Sequence, residues 1–157
     1  LGESLDNWRP IKKGESIENW SLNEGILRLD STGGSIRTSK TYDNFELGLE
    51  FKLPPKNNTS VFLRGRYEVQ IEDNKGKEPL STYLGGVYGL LSPSEMMAKN
   101  PGEWQSYDIT LIGRMVTVSV NGIIVIILSI DSLNFLIDVI KKKLKINNIS
   151  FNKVGVS

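Results

Sequence analysis

Apolar and polar residues alternate along most of the chain. In "FELGLEFKL", Phe45, Leu47, Leu49, Phe51 and Leu53 share one parity, and Glu46, Gly48, Glu50 and Lys52 share the other. That period of two marks a strand with one buried face. "GILRLD", "SVFLRGRYEVQIED", "GGVYGLL", "WQSYDITLIG", "RMVTVSV" and "IIVIILSI" read as further strands. Turn signals separate them: "STGG", "LPPKNN", "EDNKGK", "KNPGE" and the pair Asn121–Gly122. Asn-Gly supplies the positive φ values of a type I′ turn, so "RMVTVSV" and "IIVIIL" are expected to form a hairpin. Short strands with regular punctuation indicate an all-β sandwich or jelly roll.

The pattern changes near Asp131. Leu133, Leu136, Ile140 and Leu144 follow helical spacing, with Asp131 or Ser132 able to cap the start and lysines near the end, where they suit the helix dipole. The pattern predicts one late helix over about 132–145, then a last strand at "NISFNKV". With 157 residues and no linker-like stretch, the chain is expected to form one domain.

Composition narrows the chemistry. There is no cysteine and no histidine, which removes thiolate nucleophiles, disulfides, catalytic triads and His-ligated zinc. Catalysis must then rest on carboxylates, Lys, Tyr or Arg, or on a hard cation held by oxygen. A net charge of +1 gives no broad field to draw in nucleic acid or a membrane, so neither is expected as a partner. The most apolar run, "IIVIILSI", is too short to span a bilayer as a helix, and "LGESLDNWRP" has neither the basic start nor the apolar stretch of a signal peptide.

The candidate chemistry lies in "RGRYEVQIED". Read as one strand, it places Arg64, Arg66, Glu68, Gln70 and Glu72 on one parity and Tyr67, Val69 and Ile71 on the other. Glu50, from a nearby strand, is expected to join this row. Ion pairs across a solvated sheet face would account for the charges. Gln70 and two arginines, however, suit hydrogen bonds to hydroxyl groups. Tyr83 and Tyr88 in "STYLGGVYG" offer flat faces for a pyranose ring, or else pack in the core. Trp104 reads as a core anchor at the start of a strand, and Trp8 and Trp20 as structural.

Several separated motifs together resemble the 3-keto-disaccharide hydrolase family: "GESLDNW", "GGSIRTSKTYDNFELGLEFKLP", "SVFLRGRYEVQIEDN", "GGVYGLLSP" and "PGEWQSYDITLIGRMVTVSVNG", over roughly residues 2–126. The resemblance implies a concanavalin-like jelly roll with sugar bound across a concave sheet, and a bacterial protein of the periplasm or the cell exterior. It departs at residues 127–146. There "ILSIDSLNFLIDVIKKKLKI" replaces a Gly-rich loop and a histidine-bearing segment like "GPIxLQGDHG", as an altered reading frame or a divergent, inactive member would produce.

The chemistry implied for the family needs a base and a group to stabilise an enolate. On that basis Glu68 is the expected base and Arg64 the enolate stabiliser, with Gln70, Glu50, Glu72, Arg66, Tyr83 and Tyr88 contacting substrate. A divalent cation such as calcium, held by carboxylates, is the alternative to Arg64. The alternative function is a carbohydrate-binding module, or an inactive copy, using the same face. A third reading comes from "EVQIE", which resembles the E-x-D-x-E strand of laminarinase-type glucanases with Gln70 in the central place. A retaining pair of carboxyl groups must lie about 5–5.5 Å apart. Positions i and i+4 of a strand are roughly 13 Å apart at Cα.

Overall fold

The computed structural model describes residues 4–30 and 33–129. It is all-β, with antiparallel pairing throughout the described strands. Its contacts fall into two compact units, one up to Tyr42 and one from Asp43 onward. The expected late helix and the closing strand at "NISFNKV" lie outside the described residues.

In the first unit, β1 (Trp8–Pro10) pairs with β4 (Ile36–Thr38), and β2 (Trp20–Asn23) pairs with β3 (Ile26–Leu29). Glu24 and Gly25, both at positive φ, close the second hairpin. The Trp20 indole N–H donates to the Gly34 carbonyl at 3.0 Å, so this tryptophan is structural, as expected.

The second unit is a sandwich. One sheet has the order β10 (Ile123–Ser129), β9 (Met115–Val120), β8 (Gln105–Ile112), β5 (Phe45–Phe51). The other is built on β6 (Asn58–Leu63) and β7 (Tyr67–Glu72). Inward parities meet: Val69, Ile71 and Leu63 share one apolar cluster with Ile109, Leu111, Val118 and Val125. Asn121 and Gly122 stand at φ 52° and 84°, making the expected turn between β9 and β10. The Asn121 side chain reinforces it, accepting from the Ser106 N–H at 2.9 Å and donating to the Met97 carbonyl at 2.7 Å.

Two expectations need correction. "SVFLRGRYEVQIED" is two strands, because Arg64 and Gly65 take φ values of 50° and 62° and reverse the chain. Trp104 is not a core anchor: the residue is 41% exposed, and the Lys52 ammonium lies 5.1 Å from its ring centroid.

"GGVYGLL" contributes a short third run beside β7. Val87 bridges Val69 in antiparallel register, with the Gln70 N–H donating to the Gly86 carbonyl at 3.0 Å and the Tyr88 N–H to the Glu68 carbonyl at 2.8 Å. Two buried side chains hold this run. Asn74 Oδ1 accepts from the Leu84 N–H at 3.0 Å. Tyr107, on β8 in the opposite sheet, sends its hydroxyl through the core. There it donates to the Gln70 carbonyl and accepts from the Gly85 N–H at 2.8 Å. The ring is fixed by packing on Phe51, with centroids 4.8 Å apart. Glycine is required at 85, where φ is +81° and a Cβ would meet Val120 at 2.9 Å.

Burial pushes the Tyr107 phenol well above its ordinary value, outweighing the opposing effect of the Gly85 N–H bond. Its stabilising contribution is therefore complete below about pH 10 and declines as pH rises beyond the unfolded phenol's pKa. Tyr107→Phe is expected to cost about 1–2 kcal/mol, the lower part of the range for a lost buried partner, because Gly85 and Gln70 remain bonded to each other. Denaturant titrations at pH 8 and pH 10.5 check both points. The variant should be weaker at pH 8 and lose less stability than wild type on going to pH 10.5.

Candidate functional site

In an antiparallel pair, residues directly opposite each other share a face. The β6–β7 register sets Asn58 opposite Glu72, Ser60 opposite Gln70 and Phe62 opposite Glu68. The alternate pairs, Thr59–Ile71, Val61–Val69 and Leu63–Tyr67, lie on the inward parity. The Val69–Val87 bridge extends the outward rows by one strand, placing Tyr88 beside Glu68 and Gly86 beside Gln70. Glu68 thus lies between Phe62 on β6 and Tyr88, which follows the bridge residue Val87.

The structure brings together Glu68, Gln70, Glu72 and Tyr88 of the expected residues. Glu68 and Glu72 are half-buried, and Gln70 is 4% exposed despite its polar parity. The cover over Gln70 has a visible source. A Cβ on the neighbouring Gly86 would meet the Ser81 carbonyl at 2.6 Å, so the Leu80–Ser81 backbone lies against that side of the sheet.

Other expected members stand elsewhere. Glu50 is exposed on β5 opposite Ser106, on the parity that points away from the core. Since β5 belongs to the opposite sheet, Glu50 is on the far side of the sandwich from Glu68. Alternation along a strand fixes the face but not the sheet, and the expectation failed there. Tyr83 is half-buried outside the row, with the Lys77 ammonium 5.0 Å from its centroid.

Arg64 is not in the row either. Its Nε donates to the Asp43 carbonyl at 2.7 Å, Nη1 to the Gly113 carbonyl at 2.9 Å, and Nη2 to the Asp43 carbonyl and, at 3.4 Å, to Asn44 Oδ1. Asn44 Oδ1 also accepts from the Gly113 N–H at 2.7 Å. The guanidinium therefore ties the β6–β7 turn to the entry of β5 and to the β8–β9 turn. Its ion pair with the Asp43 carboxylate, at 3.4 Å, is open to solvent on the Asp43 side and adds little. Arg66, in the same turn, is exposed, and its guanidinium has no hydrogen-bond or ion-pair partner among the described residues. It is the cation left available at this end of β7.

Phe62 was not among the expected residues. It is 49% exposed, as is Tyr88. The signal was present in the sequence: Val61 and Leu63 flank it on the apolar parity, which leaves an aromatic ring on the polar one.

Glu68 and Glu72 lie on a stretch paired with β6 without interruption, with no bulge to shorten it. Their Cα atoms therefore remain roughly 13 Å apart. This separation does not suit the retaining pair considered for "EVQIE". For the calcium alternative, no group of three or more acidic side chains gathers among the described residues. A small apolar void lies in the core between Leu63, Tyr67, Val87, Leu91, Leu111, Val116 and Leu128. A groove lies on the β2–β3 hairpin, along Ser21, Asn23, Glu24, Ile26, Arg28 and Asp30. Neither contains Glu68.

Comparison with known proteins gives this face a context. The model of the 3-keto-alpha-glucoside-1,2-lyase-like domain matches residues 2–137, which reaches into the segment where the motif resemblance fades. A 3-keto-disaccharide hydrolase of Bacteroides thetaiotaomicron is 25% identical over 88 residues, covering 50% of this chain and 30% of that protein. The matched part is thus less than a third of the relative's length. Two crystal structures of candidate glycosyl hydrolases from Parabacteroides distasonis are similar in fold. One has a TM-score of 0.60 at 26% identity, covering 80% of this chain and 73% of the other. The second has a TM-score of 0.65 at 27% identity, covering 79% and 61%.

The clamp geometry predicts that Arg64→Ala is a stability defect. The variant keeps a non-glycine residue at positive φ and loses its bonds to the Asp43 and Gly113 carbonyls. The expected loss is about 1–3 kcal/mol by chemical denaturation. A shift below about 0.5 kcal/mol, the usual range for a plain surface change, would contradict the assignment.

Proposed function

The chain belongs to the 3-keto-alpha-glucoside-1,2-lyase-like family, and from that premise we propose that it is a hydrolase of 3-keto-glycosides with Glu68 as its base. The observation that carries the proposal is the position of Glu68, a half-buried carboxylate at the centre of an outward row between two exposed aromatic rings. A ketone at C3 of the sugar acidifies the hydrogen on C2. The Glu68 carboxylate takes that proton, and the electron pair moves onto the C3 oxygen to give an enolate. The enolate then re-forms the ketone, a double bond forms between C1 and C2, and the C1–O bond breaks to release the leaving group, which takes a proton from water. Water adds its hydroxyl to C1, and Glu68 returns its proton to C2.

In this reading Arg66 takes the part first expected of Arg64, because the Arg64 guanidinium is committed to backbone carbonyls. A cation near the C3 oxygen stabilises charge that develops only as the proton leaves, which is where an enzyme gains rate. Glu72, half-buried further along the row, is suited to sugar hydroxyls, whereas Gln70 lies beneath the Leu80–Ser81 backbone. The substrate is a carbohydrate, and the location is the periplasm or the cell exterior, with the family resemblance as its support.

A second reading is a non-catalytic carbohydrate-binding module on the same face. It is favoured by one observation: the chain has no histidine, whereas the closing segment that the family resemblance implies carries one.

Incubation with 3-keto-glucosides and with ordinary oligosaccharides separates the two, by recording binding and product release together. Release of a 3-keto sugar is expected from the wild type. Glu68→Gln should lower kcat by about 10²–10⁴-fold, the usual range for a lost general base, while substrate still binds. Unchanged turnover in that variant removes Glu68 from the mechanism, and binding without release by the wild type establishes the module.

A further inference from the structure

We infer that the segment 132–145, which lies outside the described residues, returns along the outer face of the β5–β8–β9–β10 sheet as one amphipathic helix, with Leu136 and Ile140 seated on Ile127 and Ile124. The stretch that stands where the family resemblance implies a histidine-bearing segment is then a cover for the sheet opposite Glu68. Its place does not depend on which residue reacts.

Register defines the surface to be covered. Counting outward-facing rows from the Ser129 end of the sheet, Met115 and Ile112 stand in the first, Ile127 and Glu46 in the second, Ile124 and Asp108 in the third, and Glu50 in the fourth. Ile112, Met115 and Ile124 are about half exposed, and Ile127 is 64% exposed. One exposed isoleucine is ordinary, but four large apolar side chains on three neighbouring strands make a patch. β10, which carries two of them, is last in the sheet order of the described residues. Its "IIVIILS" has no charged residue and no proline, the usual means of blunting an edge.

Length, direction and charge identify the occupant. The chain leaves β10 at Ser129, in the first row, so a segment that turns back there runs toward the fourth. Rows are two residues apart, about 6.7 Å along the strands, which puts the third row about 13 Å and the fourth about 20 Å from the first. A helix rises about 1.5 Å per residue, so the segment from Ser132 to Lys145 covers about 21 Å. On that scale Leu136 comes level with Ile127, and Ile140 with Ile124. Lys141, Lys143 and Lys145 come level with Asp108 and Glu50. Both of these carboxylates are exposed, and neither has an ion pair among the described residues. The apolar stripe thus meets the apolar patch, and the lysines meet the acidic end of the face. A helix is about 10–12 Å across with its side chains. That matches the patch from β8 to β10, two strand spacings of about 4.8 Å each.

The full chain has no cysteine, so paired cysteine substitutions report the contact without background. Ile127→Cys with Leu136→Cys, and Ile124→Cys with Ile140→Cys, should each close a disulfide within one chain under a mild oxidant, read by intact mass and by non-reducing gel. Asp138 and Lys142 are on the opposite side of the same helical pattern. Ile127→Cys with Asp138→Cys, and Ile124→Cys with Lys142→Cys, should therefore stay reduced. A second measurement needs no cysteine: Ile127→Ser should lower the thermal midpoint by about 3–10 °C, as the loss of a covered isoleucine does.

Closure of the apolar-side pairs no faster than that of the polar-side pairs overturns the inference. So does an unchanged midpoint in Ile127→Ser. Disulfides that link two chains, in place of closing within one, overturn it as well and assign this face to a second copy.

Discussion

The hydroxyl of Tyr107 is the contact on which the candidate site depends. It crosses from the β8 sheet to the other sheet, where it joins the Gln70 carbonyl and the Gly85 N–H. Apart from this tie, the run that follows Gly85 is held to β7 by an isolated bridge and by the Gly85–Gln70 backbone bond. With it, Val87 is sealed into the core beside Val69, and Tyr88 is delivered to the outward face next to Glu68. The cost of burying a hydroxyl is offset only when both of its roles are used, and here it both donates and accepts. The glycines at 85 and 86 serve the same end. One adopts positive φ against Val120, and the other leaves room for the Ser81 carbonyl.

The second support is at the turn end of the same strands. Arg64 spends a positively charged side chain on carbonyl groups from Asp43 and Gly113, fixing the β6–β7 hairpin to the edge of the opposite sheet. A charge-assisted bond of this kind is stronger than a neutral one. It also separates two arginines that stand one residue apart in the sequence. Arg64 is used by the fold, and Arg66 is left at the surface.

Much of this was legible in the residues themselves. The alternation of "FELGLEFKL", the Asn121–Gly122 turn and the shared parity of Glu68, Gln70 and Glu72 all follow from local geometry, and the structure has them in place. What escaped depends on contacts between distant segments. The chain reversal at Arg64 escaped because an arginine at positive φ carries no turn signature, whereas an Asn-Gly pair does. Glu50 was placed with Glu68 because a strand's pattern is silent about which sheet it joins. The burial of Gln70 comes from the backbone at Leu80–Ser81, and no periodicity in β7 reports on it. Phe62 could have been read from its parity, but strand aromatics are usually taken for core.

The central proposal is spatial: Glu68, on the outward face of β7 between Phe62 and Tyr88, is the position at which a 3-keto sugar would react. Its most direct test is a crystal structure of Glu68→Gln soaked with a 3-keto-disaccharide. The account predicts the C2 carbon about 3–3.5 Å from the side-chain amide at position 68, a distance suited to reaction. Sugar density in the groove along Ser21 and Asp30, with the face around residue 68 empty, would contradict it.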